Sequence, residues 1–282
     1  MKPIASWPVE QRRNIVGVFT DIDDTLTTQG SITPDALQAL ADLKAAGLHV
    51  IPITGRPVGW ATPLAEKLTV DAIVVENGAV ALRMVEQPFL TENICKNELK
   101  AAYSLPKVLS KLYQEEEAVR TRNQSRMQVI AQQLLAQIPE LKQTRDSAGR
   151  ETDLAFDANE FAHLSFETAQ QVHQLLQQAG MQTTQSSIHI HGSFGSFDKW
   201  TGAKWIVREL FQRELADELA QWVFVGDSGN DQAMFQHFVH SVGVANIRHF
   251  QSQLQHLPRF ITMSERGAGF AEVAHAILSS RA

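Results

Sequence analysis

"VFTDIDDTLTTQG", residues 18–30, puts three aspartates into four positions directly after a short apolar run. Asp and Thr are good turn formers and helix caps, so a charged loop at a strand end has an ordinary reading. Asp21, Asp23 and Asp24 nevertheless repel one another, and a site that uses the charges is the other reading. Which one holds depends on what the neighbouring strand ends carry.

The preceding run, "NIVGVFT" (14–20), is β-branched and aromatic and predicts a buried strand. A helix is expected over 33–47, "TPDALQALADLKAAG", with Thr33 as cap, Pro34 in the first turn and Gly47 as the stop. "LHVIPIT" (48–54) reads as a strand, "PVGWATPLAEKL" (57–68) as a helix and "DAIVVENG" (71–78) as a third strand. Strands that are apolar throughout and alternate with helices indicate a parallel sheet covered on both faces.

From about Met84 to Phe197 the segments become more polar, with long Gln-rich helices such as "FETAQQVHQLLQQAG" (166–180). The strands "TDLAFDA" (152–158) and "SSIHIHG" (186–192) alternate apolar and polar residues, which predicts a sheet with one wet face. The first pattern then returns as helix 201–215, strand 222–227, helix 230–238, strand 241–245 and helix 267–280. The expected fold is α/β, a doubly wound, Rossmann-like parallel-sheet core (1–83 and 196–282) interrupted by an inserted α+β cap (84–195).

Composition agrees with a globular chain: of 282 residues 44% are hydrophobic and 20% charged. A net charge of −6 argues against nucleic acid as partner, because phosphate backbones need a basic footprint. The single cysteine, Cys95, cannot form an internal disulfide and suits a reducing compartment. No apolar run approaches the ~18 residues of a membrane span and the N-terminus lacks a signal-peptide core, so a cytoplasmic protein with no membrane partner is expected.

In a doubly wound sheet, ligands sit outside the carboxyl ends of the strands. Four expected strand or lid ends here carry matching polar groups: Asp21-Ile22-Asp23-Asp24-Thr25, Thr54-Gly55-Arg56, Asp198-Lys199, and "GDSGND" with Asp227, Asn230 and Asp231. Each is weak alone, but four in order are not. Carboxylates from two strand ends make an oxygen cage suited to Mg2+. A carboxylate can attack phosphorus, and a second one two residues on can protonate the leaving alcohol and then activate water. Thr54, the Gly55 amide and a lysine ammonium would stabilise the phosphoryl oxygens. The expected partner is a small phosphorylated metabolite.

DxDxT, TGR, Lys and GDSxND in this order resemble the motifs of the haloacid dehalogenase superfamily of phosphohydrolases. An insertion between the TGR and Lys motifs is similar to the subgroup with a large α/β lid, subfamily IIB, which contains Cof-type sugar phosphatases, sucrose-phosphate phosphatase and phosphomannomutase. The resemblance implies Asp21 as nucleophile and Asp23 as general acid/base. It implies a Mg2+ site made by Asp21, Asp227 and the Asp23 backbone carbonyl, supported by Asn230 and Asp231. It assigns Thr54, Gly55 and a lysine to the phosphate, and Arg56 and Asn77 to the side facing substrate and cap. A phosphomutase or a non-catalytic binding protein on the same fold are the alternatives.

Two departures stand out. Asp24 replaces the glycine usual after the second aspartate, and is expected to point away from the phosphate. "DKWTGAKW" spreads the lysine motif, leaving Lys199 and Lys204, of which Lys199, at the lid exit before the helix, is preferred. In the lid, His189 and His191 share a strand face and Arg122 and Arg126 a helix face. Either pair can touch substrate or simply be solvated. Trp200 and Trp205 are expected in the core.

Overall fold

The computed structural model describes residues 1–87 and 106–281; Cys95 lies outside them. The chain opens with β1 (Lys2–Pro3), α1 (Val9–Arg13) and β2 (Gly17–Thr20). A small hairpin, β3 (Thr27–Thr28) and β4 (Ser31–Ile32), precedes α2 (Pro34–Ala45), β5 (His49–Pro52) and α3 (Val58–Lys67). Next come β6 (Ile73–Val75), β7 (Val80–Glu86), β8 (Lys107–Tyr113) and α4 (Glu117–Gln137). β9 (Asp153–Asp157), α5 (Phe166–Gln178), β10 (Gln182–Gln185) and β11 (His189–Ser193) follow. The chain closes with α6 (Lys199–Phe211), β12 (Trp222–Gly226), α7 (Gln232–His237), β13 (His240–Gly243), β14 (Phe260–Ile261) and α8 (Arg266–Leu278).

Six strands form a parallel sheet in the order β1-β14-β13-β12-β2-β5. A parallel bridge between Ile53 and Val74 joins β6 to its edge, and β7 and β8 continue from there antiparallel. Alternate residues of the central strands feed opposite faces, as the period of two requires. Val18, Val50, Val223 and Val225 pack with α2 and α8, whereas Phe19, Ile51 and Phe224 pack with α6 and α7. From β2 the chain winds first to β5 and later returns to β12 on the other side. The order therefore reverses between β2 and β12, where a crevice opens at the carboxyl ends.

β7 runs across position 84, so the division expected between residues 83 and 84 falls inside a strand. The lid sheet is β10-β11-β9, antiparallel, with α4 and α5 on one face over a cluster of its own that includes Met127, Leu134, Phe156, Val172 and Ile190. The wet face expected for this sheet is a correction: Asp153, Asp157, His189 and His191 are all buried. The alternation is real, but the polar side faces the ends of the core strands instead of water. β1, the β3–β4 hairpin and β10 carry no clear periodic signal and are additions to the reading from sequence.

The helix expected over 201–215 spans Lys199–Phe211. Asp198 caps it, its side chain accepting from the Thr201 amide while the Thr201 hydroxyl bonds the Asp198 amide. Lys199 is thus the first residue of the helix and does not precede it. At the other end, Gln212 in a left-handed conformation stops the helix four residues early.

Candidate active site

Asp21 continues from β2, its amide bonded to the Val225 carbonyl of β12, which brings the first aspartate beside the end of the neighbouring strand. Asp227 follows β12 directly. Asp231 sits one turn beyond, and its Oδ2 accepts from the Asp227 and Ser228 amides at 2.8 and 3.1 Å. Gly226 makes this approach possible: a Cβ there would run into Asp231 Oδ2. Oxygens of Asp21, Asp227 and Asp231 all come within 4.8 Å of one another.

Lys199, wholly buried, spans two of these carboxylates, with Nζ 2.5 Å from Asp21 Oδ1 and 2.7 Å from Asp231 Oδ1. Burial raises the Asp21 pKa to about 8; the Lys199 charge opposes the rise, and the Asp231 and Asp23 charges add to it. Burial, with the charges of Asp21 and Asp231, also pushes Asp227 well above the usual carboxylate range. Lys204 lies elsewhere, its ammonium over the Trp200 ring at 5.2 Å. Trp200 and Trp205 both pack against the hydrophobic cluster beneath the sheet.

The donor set suits a hard divalent cation. Both Asp231 oxygens are taken by Lys199 and backbone amides. Asp227 Oδ1 is buried without a partner among the described residues, while its Oδ2 accepts from Asn246 at 3.1 Å. The oxygens left to a metal are therefore those of Asp21 and Asp227, with Asp231 behind them.

Thr54 and Gly55 leave β5 next to this cluster. Thr54 is buried, with Oγ1 accepting from the Arg56 amide. The turn Glu76–Gly78 brings Asn77 alongside at φ +53°, and Asn77 Oδ1 accepts from Asn230 Nδ2 at 3.3 Å. Arg56 grips Asp23 through three contacts of 2.9–3.0 Å and also reaches two lid carboxylates, Glu160 at 2.7 Å and Asp146 at 3.3 Å. The general acid/base candidate is thus tied to the lid through one guanidinium.

The structure adds residues that the motifs do not mark. Arg150 of the lid donates to the Gly55 carbonyl at 3.0 Å and to both oxygens of Asp153. Glu76 accepts from the Val58 amide of α3 and from the Glu151 and Thr152 amides of the lid. Burial and the Asp153 charge raise its pKa to about 7. His189 pairs with Glu160 at 2.8 Å and His191 with Asp153 at 3.0 Å. Arg122 is exposed on α4, and Arg126 stacks on Phe194 at 3.7 Å; neither is among the groups gathered here. Asp24 has φ +55°, which explains the usual glycine, and its carboxylate lies 3.1 Å from Arg266. A cavity of about 300 Å3 beside Asp23 and Arg56, bordered by Glu160 and Phe161, leads to solvent.

Comparison with known proteins gives the same outline. A 55-residue stretch is 44% identical to the "Putative phosphatase" of Streptococcus pyogenes serotype M6, a match spanning about a fifth of each chain (19% and 20%). Among solved structures, Thermoplasma acidophilum 0175 superposes with a TM-score of 0.64 at 17% identity over 94% of this chain and 98% of that one. The sucrose-phosphatase of Synechocystis sp. PCC6803, solved with sucrose and phosphate, gives 0.59 at 16% identity over 94% and 98%. These likenesses in fold run through lid and core alike. The family model for haloacid dehalogenase-like hydrolases matches residues 18–273, from within β2 to within α8. On that match, which takes in every strand end of the crevice and the roof over it, the chain belongs to the haloacid dehalogenase-like hydrolases.

Proposed function

We propose that this protein is a Mg2+-dependent phosphatase that hydrolyses a small phosphomonoester, a sugar phosphate by class, through a phosphoaspartyl intermediate on Asp21. One observation carries the reading: Asp21 and Asp227 end adjacent strands at the reversal of strand order, with Lys199 bridging Asp21 to Asp231 and Asp227 Oδ1 left without a partner among the described residues. Asp21, Asp227 and the Asp23 carbonyl would hold the cation, which when bound neutralises the crowded carboxylates and draws in the phosphate.

The protein groups then divide the work. An Asp21 oxygen attacks phosphorus, and the P–O bond to the alcohol breaks as Asp23 delivers a proton to the departing oxygen. Water next attacks the acyl phosphate with Asp23 taking its proton, which releases phosphate and restores Asp21. Lys199, the Thr54 hydroxyl and the Gly55 amide stabilise the phosphoryl oxygens throughout. Asp23 can serve only once Arg56 loosens its grip. The sugar-phosphate class is supported by the polar, hydrogen-bonding roof and by the fold likeness to sucrose-phosphatase.

Phosphate release from a broad panel of phosphorylated metabolites, with Mg2+ and with excess chelator, tests the reading. Turnover that needs Mg2+ and vanishes in Asp21→Asn is expected. Absence of release from every ester, or full activity of Asp21→Asn, would overturn it.

A further inference from the structure

Among the described residues, His191 is the one imidazole that the roof turns toward the phosphate loop with a ring nitrogen unused. It is buried at 3% exposure, and Nε2 has no hydrogen-bond partner among the described residues. Its position is well defined. A Cβ built on Gly55 would lie 2.9 Å from Nε2 and 3.2 Å from Asn77 Oδ1, so the ring and the amide converge over the backbone of Gly55.

The other side of the ring fixes the tautomer. Nδ1 lies 3.0 Å from Asp153 Oδ2, and Asp153 in turn accepts from Arg150 Nη1 at 2.9 and 3.1 Å. Burial raises the Asp153 pKa, and the Arg150 charge opposes the rise. A carboxylate held by a guanidinium accepts, so Nδ1 carries the ring proton and Nε2 presents a lone pair. Burial, the Arg150 charge and the neighbouring His189 all hold His191 neutral. A lone pair next to the phosphate loop cannot serve the phosphate oxygens, which are acceptors themselves. Its partner in a complex is then a donor, such as a hydroxyl on the other side of the ester bond. His189, by contrast, already spends Nε2 on Glu160.

We infer that His191 is a specificity-determining residue that accepts a hydrogen bond from a hydroxyl carried by the leaving group on the carbon next to the ester. The substrate class is thereby narrowed to phosphomonoesters of vicinal polyols. The inference rests on the phosphatase reading above. Asp153 and Arg150 are positioning residues, since they act through the ring.

The test compares glycerol phosphate with its analogue lacking the middle hydroxyl, using p-nitrophenyl phosphate as an independent gauge of phosphatase chemistry. Leaving a buried acceptor unpaired costs about 1–3 kcal/mol, so wild-type kcat/KM should favour glycerol phosphate roughly ten- to a hundredfold. His191→Phe should bring that ratio toward one, and His191→Gln, which restores an acceptor, should recover part of it. Equal treatment of the two esters by the wild type, or an undiminished ratio in His191→Phe, would overturn the inference while p-nitrophenyl phosphate hydrolysis upheld the phosphatase reading. A wild type inert on all three esters would overturn both. The wild-type comparison stands even if a variant fails to fold.

Discussion

Replacing Lys199 by Met removes a buried cation while keeping most of its volume. Its ammonium is the group bridging Asp21 and Asp231, at 2.5 and 2.7 Å, in a wholly buried position. Deleting one partner of a buried ion pair leaves charge uncompensated and costs about 3–5 kcal/mol. For a chain of this size each kcal/mol moves the melting point by roughly 2–4 °C, so a fall of roughly 6–20 °C is expected. Turnover should drop further than stability explains. One lost contact to developing phosphoryl charge is worth about 2.7–4 kcal/mol, a hundredfold or more in rate. Lys204→Met, at a half-buried position beside Trp200 and away from the carboxylates, serves as the control, with rate and melting point close to wild type. The assay is thermal unfolding by circular dichroism together with steady-state phosphate release. A double variant sharpens it: adding Asp21→Asn to Lys199→Met removes the stranded carboxylate, so the pair should destabilise by less than the sum of the single changes. Strict additivity, or a Lys199→Met protein that melts and turns over like wild type, would refute the reasoning.

Four further outcomes are expected. Burial works to raise the Glu160 pKa, but hydrogen bonds from His189 and Arg56 outweigh it and hold the carboxyl at about 2, below its usual 4.5. That contribution is present above pH 4.5 and is lost as pH falls toward about 2, so urea titrations should show Glu160→Gln lacking this part of the acid limb. Asp24→Gly relieves the left-handed φ of +55° but gives up the Arg266 contact and adds backbone entropy, so its stability should stay within about 1 kcal/mol of wild type. Asp24→Val, β-branched at that φ, should lose about 1–2 kcal/mol in the same denaturation experiment. Gly55→Ala pushes a methyl against the His191 ring and Asn77, so kcat/KM for phosphate release should fall at least severalfold; unchanged kinetics would show that the roof does not close this tightly over the loop.

What the sequence made legible is the part whose partners lie at strand ends. β2, β5 and β12 are short, apolar and bounded by turn residues, so Asp21, Thr54 and Asp227 could be placed at one edge before any coordinates. Asp24 shows the limit of a motif read as letters: the usual glycine answers to a positive φ, which no spacing reveals. Arg56 shows another limit. Its neighbours Asp146 and Glu160 are 90 and 104 residues away, and only the docking of the lid turns them into partners. The lid strands were read correctly as alternating, yet alternation cannot say whether the polar face meets water or another protein surface. Asn246 was within reach, because it directly follows the strand expected over 241–245, and a polar residue at the carboxyl end of a core strand belongs to the same edge as Asp227. Glu76 was not, since its role depends on amides contributed by both α3 and the lid.

The strand order also bears on how the chain acquires its shape during synthesis. β2 lies against β12, in register from Gly17 with Trp222, although about two hundred residues separate them. At roughly 5–20 residues per second, the edge of β2 waits on the order of 10–40 seconds for its neighbour to be made. The intervening lid has its own apolar cluster and can consolidate while the N-terminal strands remain an open half-sheet. Until Trp222 and Phe224 arrive to cover Phe19 and complete the floor of the crevice, Asp21 stands at the rim of an unfinished edge. The nascent chain therefore gains Asp21 and Asp23 early, and Lys199, Asp227 and Asp231, the means to use them, last.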